Sequence, residues 1–437
     1  MTETDPQPAG REARRAAFDL LRHVVRKGRA LEDALADNPR LSGLPPRDRA
    51  FARHLTATTL RRLGQVDAAI AACLDRPLKG KLNAVQDLLR LGAAQLLFLQ
   101  VPAHAAVDQT VGLATGVRVG PHKGLLNAVL RRIDRERDGL LDAQQDIGAL
   151  NAPDWLYTRW TRTYGAATAQ AIAQAHLAEP PLDLTVGDDP DGWAQRLDAR
   201  RLPSGSLRLA SGTGDVRRLP GYDAGAWWVQ DAAAALPARL LGDVSERRVF
   251  DLCAAPGGKT AQLAAAGAHV MAVDRSAERL RQLEGNLQRL SLVAATVQAE
   301  VESWTPPDRP DAILLDAPCT ATGTLRRHPD IAYLKRPEDV ARMADLQARL
   351  LAAAAEMLAP GGTLIYAVCS LEPEEGIERV EALLAARGDL ARVPVDAAEL
   401  GVPAEAVSGA GDLRTLPCHW AELGGLDGFY AARLRKT

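Results

Sequence analysis

Between Arg11 and about Arg137 the apolar residues recur at helical spacing. Ala17, Leu20, Leu21, Val24 and Val25 form one stripe, and Leu88, Leu89, Leu91, Leu96 and Leu97 another. Breaks fall at Asn38-Pro39, Leu44-Pro45-Pro46, Arg76-Pro77, Val101-Pro102 and Gly120-Pro121, where a ring without an amide hydrogen cannot continue a helix. The pattern predicts an all-helical bundle of about six or seven helices. Residues 150–240 lose that rhythm. Trp155, Trp160, Trp193, Trp227 and Trp228 stand among prolines, glycines and short alternating runs such as LDLTV and SLRLA, which predict a small α+β connecting module. From Val249 strand and helix alternate: VFDL, a helix from Thr260, HVMAV, a helix from Arg279 to Leu290, AATV, DAILLD, a long helix from Val340, and TLIYAV. Apolar strands alternating with helices predict a doubly wound parallel sheet, so the last domain is α/β. The expected boundaries are 1–140 for the helical domain, 150–235 for the connecting module and 236–437 for the sheet domain.

A chain of 437 residues is longer than one core usually serves, which agrees with a multidomain reading. The net charge of -2 hides an asymmetry: residues 1–150 hold 23 Lys+Arg against 17 Asp+Glu, and the remainder 30 against 38. A basic first module points to a polyanion, most simply nucleic acid, although a solvated helical surface gives the same count. The opening MTETDPQPAG is polar and lacks a basic-then-apolar signal, and no apolar run reaches about 18 residues, so a cytoplasmic protein without membrane contact is expected. The five cysteines, Cys73, Cys253, Cys319, Cys369 and Cys418, are odd in number and include no C-x-x-C pair. Neither a disulfide framework nor a metal site is expected from them.

Ligands of doubly wound sheets bind at the carboxyl ends of the strands, and those ends carry the unusual residues. After the first comes DLCAAPGGKT, Asp251 to Thr260. It ends like a nucleotide-triphosphate loop, but Cys253 stands where that loop needs glycine, so a phosphate cradle is excluded. What is left is a Pro-Gly-Gly turn that brings backbone close to a ligand. Asp274, at the end of HVMAVD, is spaced from that turn as a carboxylate gripping a ribose hydroxyl pair would be, or else it caps the next helix before Ser276. S-adenosylmethionine binds such a crevice through ribose and adenine and has no pyrophosphate to cradle.

Two further strand ends carry thiols: Asp316-Ala317-Pro318-Cys319 and Ala367-Val368-Cys369-Ser370. Two cysteines in one crevice suit methylation of a pyrimidine carbon. C5 of cytosine is too weak a nucleophile to attack a methyl sulfonium until a thiolate adds at C6. After transfer, the C5 proton must leave and the thiolate must be expelled, which calls for a second group. One cysteine can add and the other can serve elimination. A carboxyl at Asp316 could hydrogen-bond or protonate N3 as charge develops there.

These residues resemble the Nop/Sun family of RNA cytosine-5 methyltransferases, and within it the members that act on bacterial 16S ribosomal RNA. DLCAAPGGKT, LLDAPCTATGTLRRHPDI and VCSLEPEE are similar to the family's three signature blocks, and DGFYAARL to its final strand. VPAHAAVDQTVGLA and KGLLNAVLRRI resemble the NusB-like RNA-binding domain these proteins carry. The resemblance implies an all-α NusB-like N-terminal domain, a small α+β connecting module and a C-terminal Rossmann-like α/β methyltransferase domain dependent on S-adenosylmethionine. It makes Cys369 the nucleophile at C6 and Cys319 the residue that assists breakdown of the adduct. It assigns Cys253, Ala254, Ala255, Pro256, Gly257, Gly258, Lys259, Asp274 and Asp316 to the cofactor, with Lys259 beside the catalytic Asp316. Arg326, Arg327 and His328, just after the Pro-Cys loop, are expected to contact RNA.

The chain departs from the family at three places. Ala299-Glu300 stands where a Gly-Asp is usual, so Glu300 is expected to reach the adenine in the aspartate's stead. Val368 replaces the threonine before the nucleophile, and LDLTVGDD replaces an arginine-containing LR-x-N pattern in the connecting module. His104, Lys123 and Asn127 are further candidates for RNA. The substrate favoured is a flipped, unpaired cytosine in 16S ribosomal RNA, acted on by a monomer. Transfer RNA or another RNA is an alternative substrate, and DNA cytosine methylation is the nearest rival. DNA methylation normally uses the Pro-Cys thiol as nucleophile and needs no second cysteine. A non-catalytic RNA-binding factor would not require both thiols intact, and thiol-dependent hydrolysis finds no histidine base beside either one.

Overall fold

The computed structural model describes residues 9–78, 80–210 and 212–437; the polar opening of residues 1–8 lies outside them. The chain divides into two compact units. One runs to Leu177 and also holds residues His328–Lys335, and the other comprises Ala178–Arg327 and Arg336–Thr437.

The first unit is helical. Before residue 140 its longer helices are Ala9–Lys27, Pro46–Arg61, Leu63–Ala72, Asn83–Leu97, Ala103–Gly116 and Lys123–Arg135. Of the predicted stripe, Ala17, Leu20, Leu21 and Val24 are buried with Leu55, Leu88, Leu89 and Leu130, Val25 is half-buried, and Ala13 extends the buried face. Inside this core Asp87 is fully buried and is held by Arg26 at 2.8 Å and Arg90 at 3.2 Å, which offsets the cost of removing a carboxylate from water. The helical body continues past the expected boundary at 140. Helices Asp154–Tyr164 and Ala166–Ala175 belong to it, with the Trp160 and His176 rings packed at a tilt, centroids 5.3 Å apart, and Arg62 donating to the Leu177 carbonyl at 3.1 Å. Residues 328–335 belong to it as well: Asp330 Oδ2 accepts the Leu31 N–H at 2.9 Å and the Tyr333 hydroxyl donates to the Leu60 carbonyl at 2.8 Å.

The second unit contains two sheets. The smaller one joins β1 (Leu182–Val186), β2 (Arg200–Arg201), β3 (Leu207–Leu209) and β4 (Trp227–Val229) in the order β2-β3-β1-β4, all antiparallel. The larger one is built from β5 (Arg248–Leu252), β6 (His269–Asp274), β7 (Ala295–Gln298), β8 (Ala312–Asp316), β9 (Thr363–Val368), β10 (Leu390–Arg392), β11 (Leu413–Thr415) and β12 (Phe429–Lys436). Its order is β10-β12-β9-β8-β5-β6-β7, with β11 also on β12. β5 to β9 pair in parallel, as the alternation of strand and helix predicts. β12, the DGFYAARL strand, runs antiparallel beside β9, so the sheet is mixed at that edge.

Both faces of the larger sheet are covered. Phe250, Leu252, Ile313, Leu315, Leu364 and Tyr366 pack on one side with Leu350, Leu351 and Ala354 of helix Pro337–Met357. Val249, Ala312, Leu314, Ile365 and Ala367 pack on the other with Leu263 of helix Gly258–Ala265. The parallel strands therefore read as near-continuous apolar runs, because alternate side chains enter two different cores. β5 lies centrally between β8 and β6, and its carboxyl end opens beside those of its neighbours.

Candidate functional site

β5 ends at Leu252 and the chain turns sharply through Cys253, whose φ is +60°, and Gly257, whose φ is +100°. Gly257 is obligatory here: a Cβ would stand 2.7 Å from Leu283 Cγ, in a backbone conformation that side chains rarely adopt. Ala255 N–H donates to Asp274 Oδ2 at 3.2 Å and Ser276 N–H to Asp274 Oδ1 at 3.0 Å. Asp274 is thus buried and binds the turn after β5 to the turn after β6, while Ser276 itself caps the following helix. Its oxygens keep capacity for further donors.

A cleft of 340 Å³ opens beside this turn. The segment Ala254–Lys259 forms one wall, and Asp316 and Asp251 lie at its floor. The opposite wall comes from the end of β4 and the residues after it, Trp228, Gln230 and Asp231, which the motif reading did not single out. The aromatic-then-acidic run WWVQD was the available signal. Asp274 and Glu300 do not line this cleft, and Glu300 is exposed. Asp251 Oδ2 accepts the Thr260 hydroxyl at 2.5 Å, but Oδ1 is buried without a partner among the described residues. Burial pushes the Asp251 carboxyl up to about 7 despite that hydroxyl and the nearby Lys259.

Lys259 Nζ donates to Asp316 Oδ2 at 2.6 Å and lies over the Phe429 ring at 5.3 Å. Burial works against the ammonium, but the adjacent Asp316 outweighs it and holds the lysine pKa above its usual value. Asp316 keeps 31% of its side chain exposed, so a ligand can still reach it.

From Asp316 the chain enters the first thiol loop. Cys319 Sγ lies 3.4 Å from Cys369 Sγ, although 50 residues separate them. The parallel pairing of β8 with β9, with Asp316 opposite Ala367, brings the two strand ends together. The loops interlock further: Gly323 N–H donates to the Cys369 carbonyl at 3.0 Å, and a Cβ on Gly323 would collide with the Gly428 carbonyl oxygen at 2.0 Å. The hydrogen bond to Cys369, followed by burial, pushes the Cys319 thiol well above the ordinary cysteine range. Cys253 is also pushed up, to about 12, chiefly by burial, and is no nucleophile.

Arg326 and Arg327 are placed differently from the expectation that they contact RNA. Arg326 is 2% exposed and donates to the Gly424 carbonyl. Arg327 pairs with Asp427 at 3.0 Å and with Asp231, and donates to the Pro181 carbonyl at 3.4 Å. Asp183, which accepts from Nε and Nη2 of Arg208 at 2.7 Å each, completes a buried network of three arginines and three aspartates. Both guanidiniums are engaged by protein carboxylates and carbonyls, Arg326 almost fully buried and Arg327 half-buried, so neither is presented as an open phosphate site. His328 is half-buried and belongs to the helical unit. His104 and Lys123 are exposed, and Asn127 accepts from Arg131 at 3.0 Å. Among the described residues no group of side chains could hold a metal ion, and no helix is long and apolar enough to cross a membrane.

Known proteins share this arrangement. A family model described as 16S rRNA methyltransferase RsmB/F matches residues 238–435, and the NusB family model matches residues 11–135. The ribosomal RNA small subunit methyltransferase B of Erwinia tasmaniensis is 37% identical over 436 residues, covering 96% of this chain and 97% of its own. That of Vibrio cholerae is 36% identical over 441 residues, with 97% of each covered. The solved structure of PH0851 aligns over 99% of this chain and 100% of its own with a TM-score of 0.75; at 20% identity it speaks for the fold alone. A methyltransferase homolog protein from Pyrococcus horikoshii aligns over 69% of this chain and 98% of its own, with a TM-score of 0.55 and 27% identity. Identity at this level over nearly the full length, with a NusB-like first part and the two-thiol sheet domain, means that the chain belongs to the ribosomal RNA small subunit methyltransferase B family.

Proposed function

We propose that this protein forms 5-methylcytosine in 16S ribosomal RNA through a covalent adduct between Cys369 and C6 of the base. The observation that carries the reading is the pair of thiols at 3.4 Å, set directly after the Lys259–Asp316 pair on adjacent strands. A methyltransferase acting on an amino group or an oxygen has no use for two sulfurs in contact. A non-catalytic RNA-binding factor has no use for either.

The cleft suits S-adenosylmethionine. Its wall mixes apolar surface from Trp228, Ala254 and Leu290 with polar groups from Lys259, Asp316 and the unpartnered Asp251 Oδ1. Backbone from Ala254 to Gly258 lines the cleft through the turn that the positive φ of Gly257 permits. Lys259 would meet the amino-acid carboxylate, and Asp251 Oδ1 would accept a hydrogen bond from a ligand donor. When bound, the cofactor supplies an electrophilic methyl group.

The residues of the chain then divide the work. Cys369 sulfur adds at C6 of the flipped cytosine and forms the C–S bond, while the electron pair displaced moves into the ring toward N3. The proton given up by the Cys369 thiol passes to N3 by way of Asp316, whose Oδ2 is hydrogen-bonded to Lys259 and whose other oxygen faces the base, so the displaced pair is neutralised as N3–H. C5 becomes an enamine carbon and takes the methyl group. Cys319 then takes the C5 proton, the electrons of that C–H bond re-form the C5–C6 double bond, and Cys369 leaves as thiolate. Cys319 acts here as the thiolate, its own proton having passed to solvent, and its raised proton affinity makes that thiolate the stronger base of the pair.

Bisulfite sequencing of small-subunit ribosomal RNA from a strain lacking the gene tests the proposal. One 5-methylcytosine should be lost and should return with the wild-type gene but not with Cys369→Ser. Unchanged methylation of 16S RNA with loss of a 5-methylcytosine from transfer RNA would move the substrate elsewhere. Restoration by Cys369→Ser would refute the nucleophile.

A further inference from the structure

Glu375 lies in neither thiol loop and does not line the cofactor cleft, yet its side chain joins both loops. It is fully buried. Oε2 accepts the Thr320 N–H at 2.8 Å and Gln347 Nε2 at 3.0 Å, and Oε1 accepts the Ser370 hydroxyl at 2.7 Å together with the Thr320 hydroxyl. Thr320 directly follows Cys319, and Ser370 directly follows Cys369. One carboxylate therefore grips the residue next to each sulfur. On the other side of Cys319, Gln347 Nε2 also donates to the Pro318 carbonyl at 2.8 Å, so the loop is held before and after its thiol.

The carboxylate is itself fixed. The Tyr366 hydroxyl, on β9, donates to the Glu375 carbonyl at 2.6 Å, and Gln347 projects from helix Pro337–Met357. Around Ser370 the bonds continue: Glu372 N–H donates to its hydroxyl at 3.1 Å, and Leu371 N–H donates to Thr322 Oγ1 at 2.9 Å. Removing a carboxylate from water is costly, and four donors in a dry pocket are tolerated only where every bond is made. Apolar packing could close the same space, but it would not fix two backbone segments to a few tenths of an ångström. A two-thiol mechanism needs that: addition at C6 and proton removal at C5 act on adjacent ring atoms, so the sulfurs must keep one separation.

We propose that Glu375 is the positioning residue of the thiol pair, holding Cys319 and Cys369 in register by binding Thr320 and Ser370 at once. The inference rests on the two-thiol reading above and adds to it the group that sets the sulfur–sulfur geometry. Glu375 touches no reacting atom in this role and acts through its two neighbours.

The test compares wild type, Glu375→Met and Glu375→Gln as full-length protein. Met fills the space but accepts none of the four bonds that the carboxylate receives. Gln offers its amide oxygen to Thr320 N–H and Gln347, and its NH2 to the two hydroxyls, which can rotate to accept. Three quantities are measured: the rate at which diamide closes a Cys319–Cys369 disulfide, the kcat and KM for RNA methylation, and S-adenosylmethionine affinity. For Glu375→Met we expect disulfide closure and kcat to fall about 10²-fold with KM and cofactor affinity within about twofold, and Glu375→Gln to recover about tenfold of the loss. If Glu375→Met does not fold, Thr320→Val, which removes one donor only, is expected to lower both rates about fivefold in the same pattern. Wild-type rates in Glu375→Met, or in Thr320→Val where that variant replaces it, overturn the proposal, as does a Gln variant no better than Met. Disulfide closure reads the geometry without methylation. A wild-type protein that forms no 5-methylcytosine would therefore refute the function while this arm still judges Glu375.

Discussion

Lys259 and Asp316 form an ion pair beside the cleft, with Nζ 2.6 Å from Oδ2. The lysine is 10% exposed and sits over Phe429, so the slot is shaped for a slim stem with a compact head. Replacing it by arginine keeps the charge but not the shape. Both Lys259→Met and Lys259→Arg should lower single-turnover methylation by about 10²-fold, as expected when a charged partner of the reacting site is lost or displaced. Arginine working within about threefold of wild type would show that charge alone suffices.

Asp251 supplies a pH signature. Burial raises its carboxyl from the usual aspartate range to about 7. A raised acid binds its proton more tightly in the folded state, so its contribution is fully present below the unfolded pKa. It is lost as pH rises toward 7, and is flat beyond. Between pH 5.5 and 8 the wild type should lose about 2 kcal/mol of stability relative to Asp251→Asn, which has no such proton to release. Urea unfolding of both proteins at the two pH values measures it; equal slopes would mean that Asp251 is ionised at both.

Arg327 separates a structural role from an RNA contact. It is held by Asp231 and Asp427, both buried, and Asp183 lies 3.9 Å away. Arg327→Ala removes the ion-pair partner of buried Asp231 and the closer one of Asp427, and should cost about 3 kcal/mol in chemical denaturation. The salt dependence of RNA binding should not change. Unaltered stability with a salt slope reduced by about one would return the residue to the RNA surface.

The sequence told more about the chemistry than about what supports it. Cys319, Cys369, Lys259 and Asp316 were legible because each ends or follows an apolar strand, and parallel strands bring such ends to one edge. The arginines were misplaced for the opposite reason. LRRHP is a local basic run, while the acids that pair with Arg327 lie 96 and 100 residues away and in a different sheet or loop. Glu375 was hidden in VCSLEPEE as one of three glutamates; nothing in that spacing says which one turns inward. The helices Asp154–Tyr164 and Ala166–Ala175 looked like part of the connecting module because tryptophan and proline disguised their period. Their core contacts, not their pattern, tie them to the helical body. The antiparallel β12 follows several short turns rather than a crossover helix, and pairing direction depends on that connection.

The central claim is the covalent step at Cys369, and it can be read directly. Cys319→Ser, incubated with its RNA and S-adenosylmethionine, should accumulate a protein–RNA species stable to denaturing gel electrophoresis. Mass spectrometry should place a methylated cytosine on the peptide that contains Cys369. Adding Cys369→Ser should abolish the species. An adduct that persists in the double variant, or is mapped to another residue, would contradict the account.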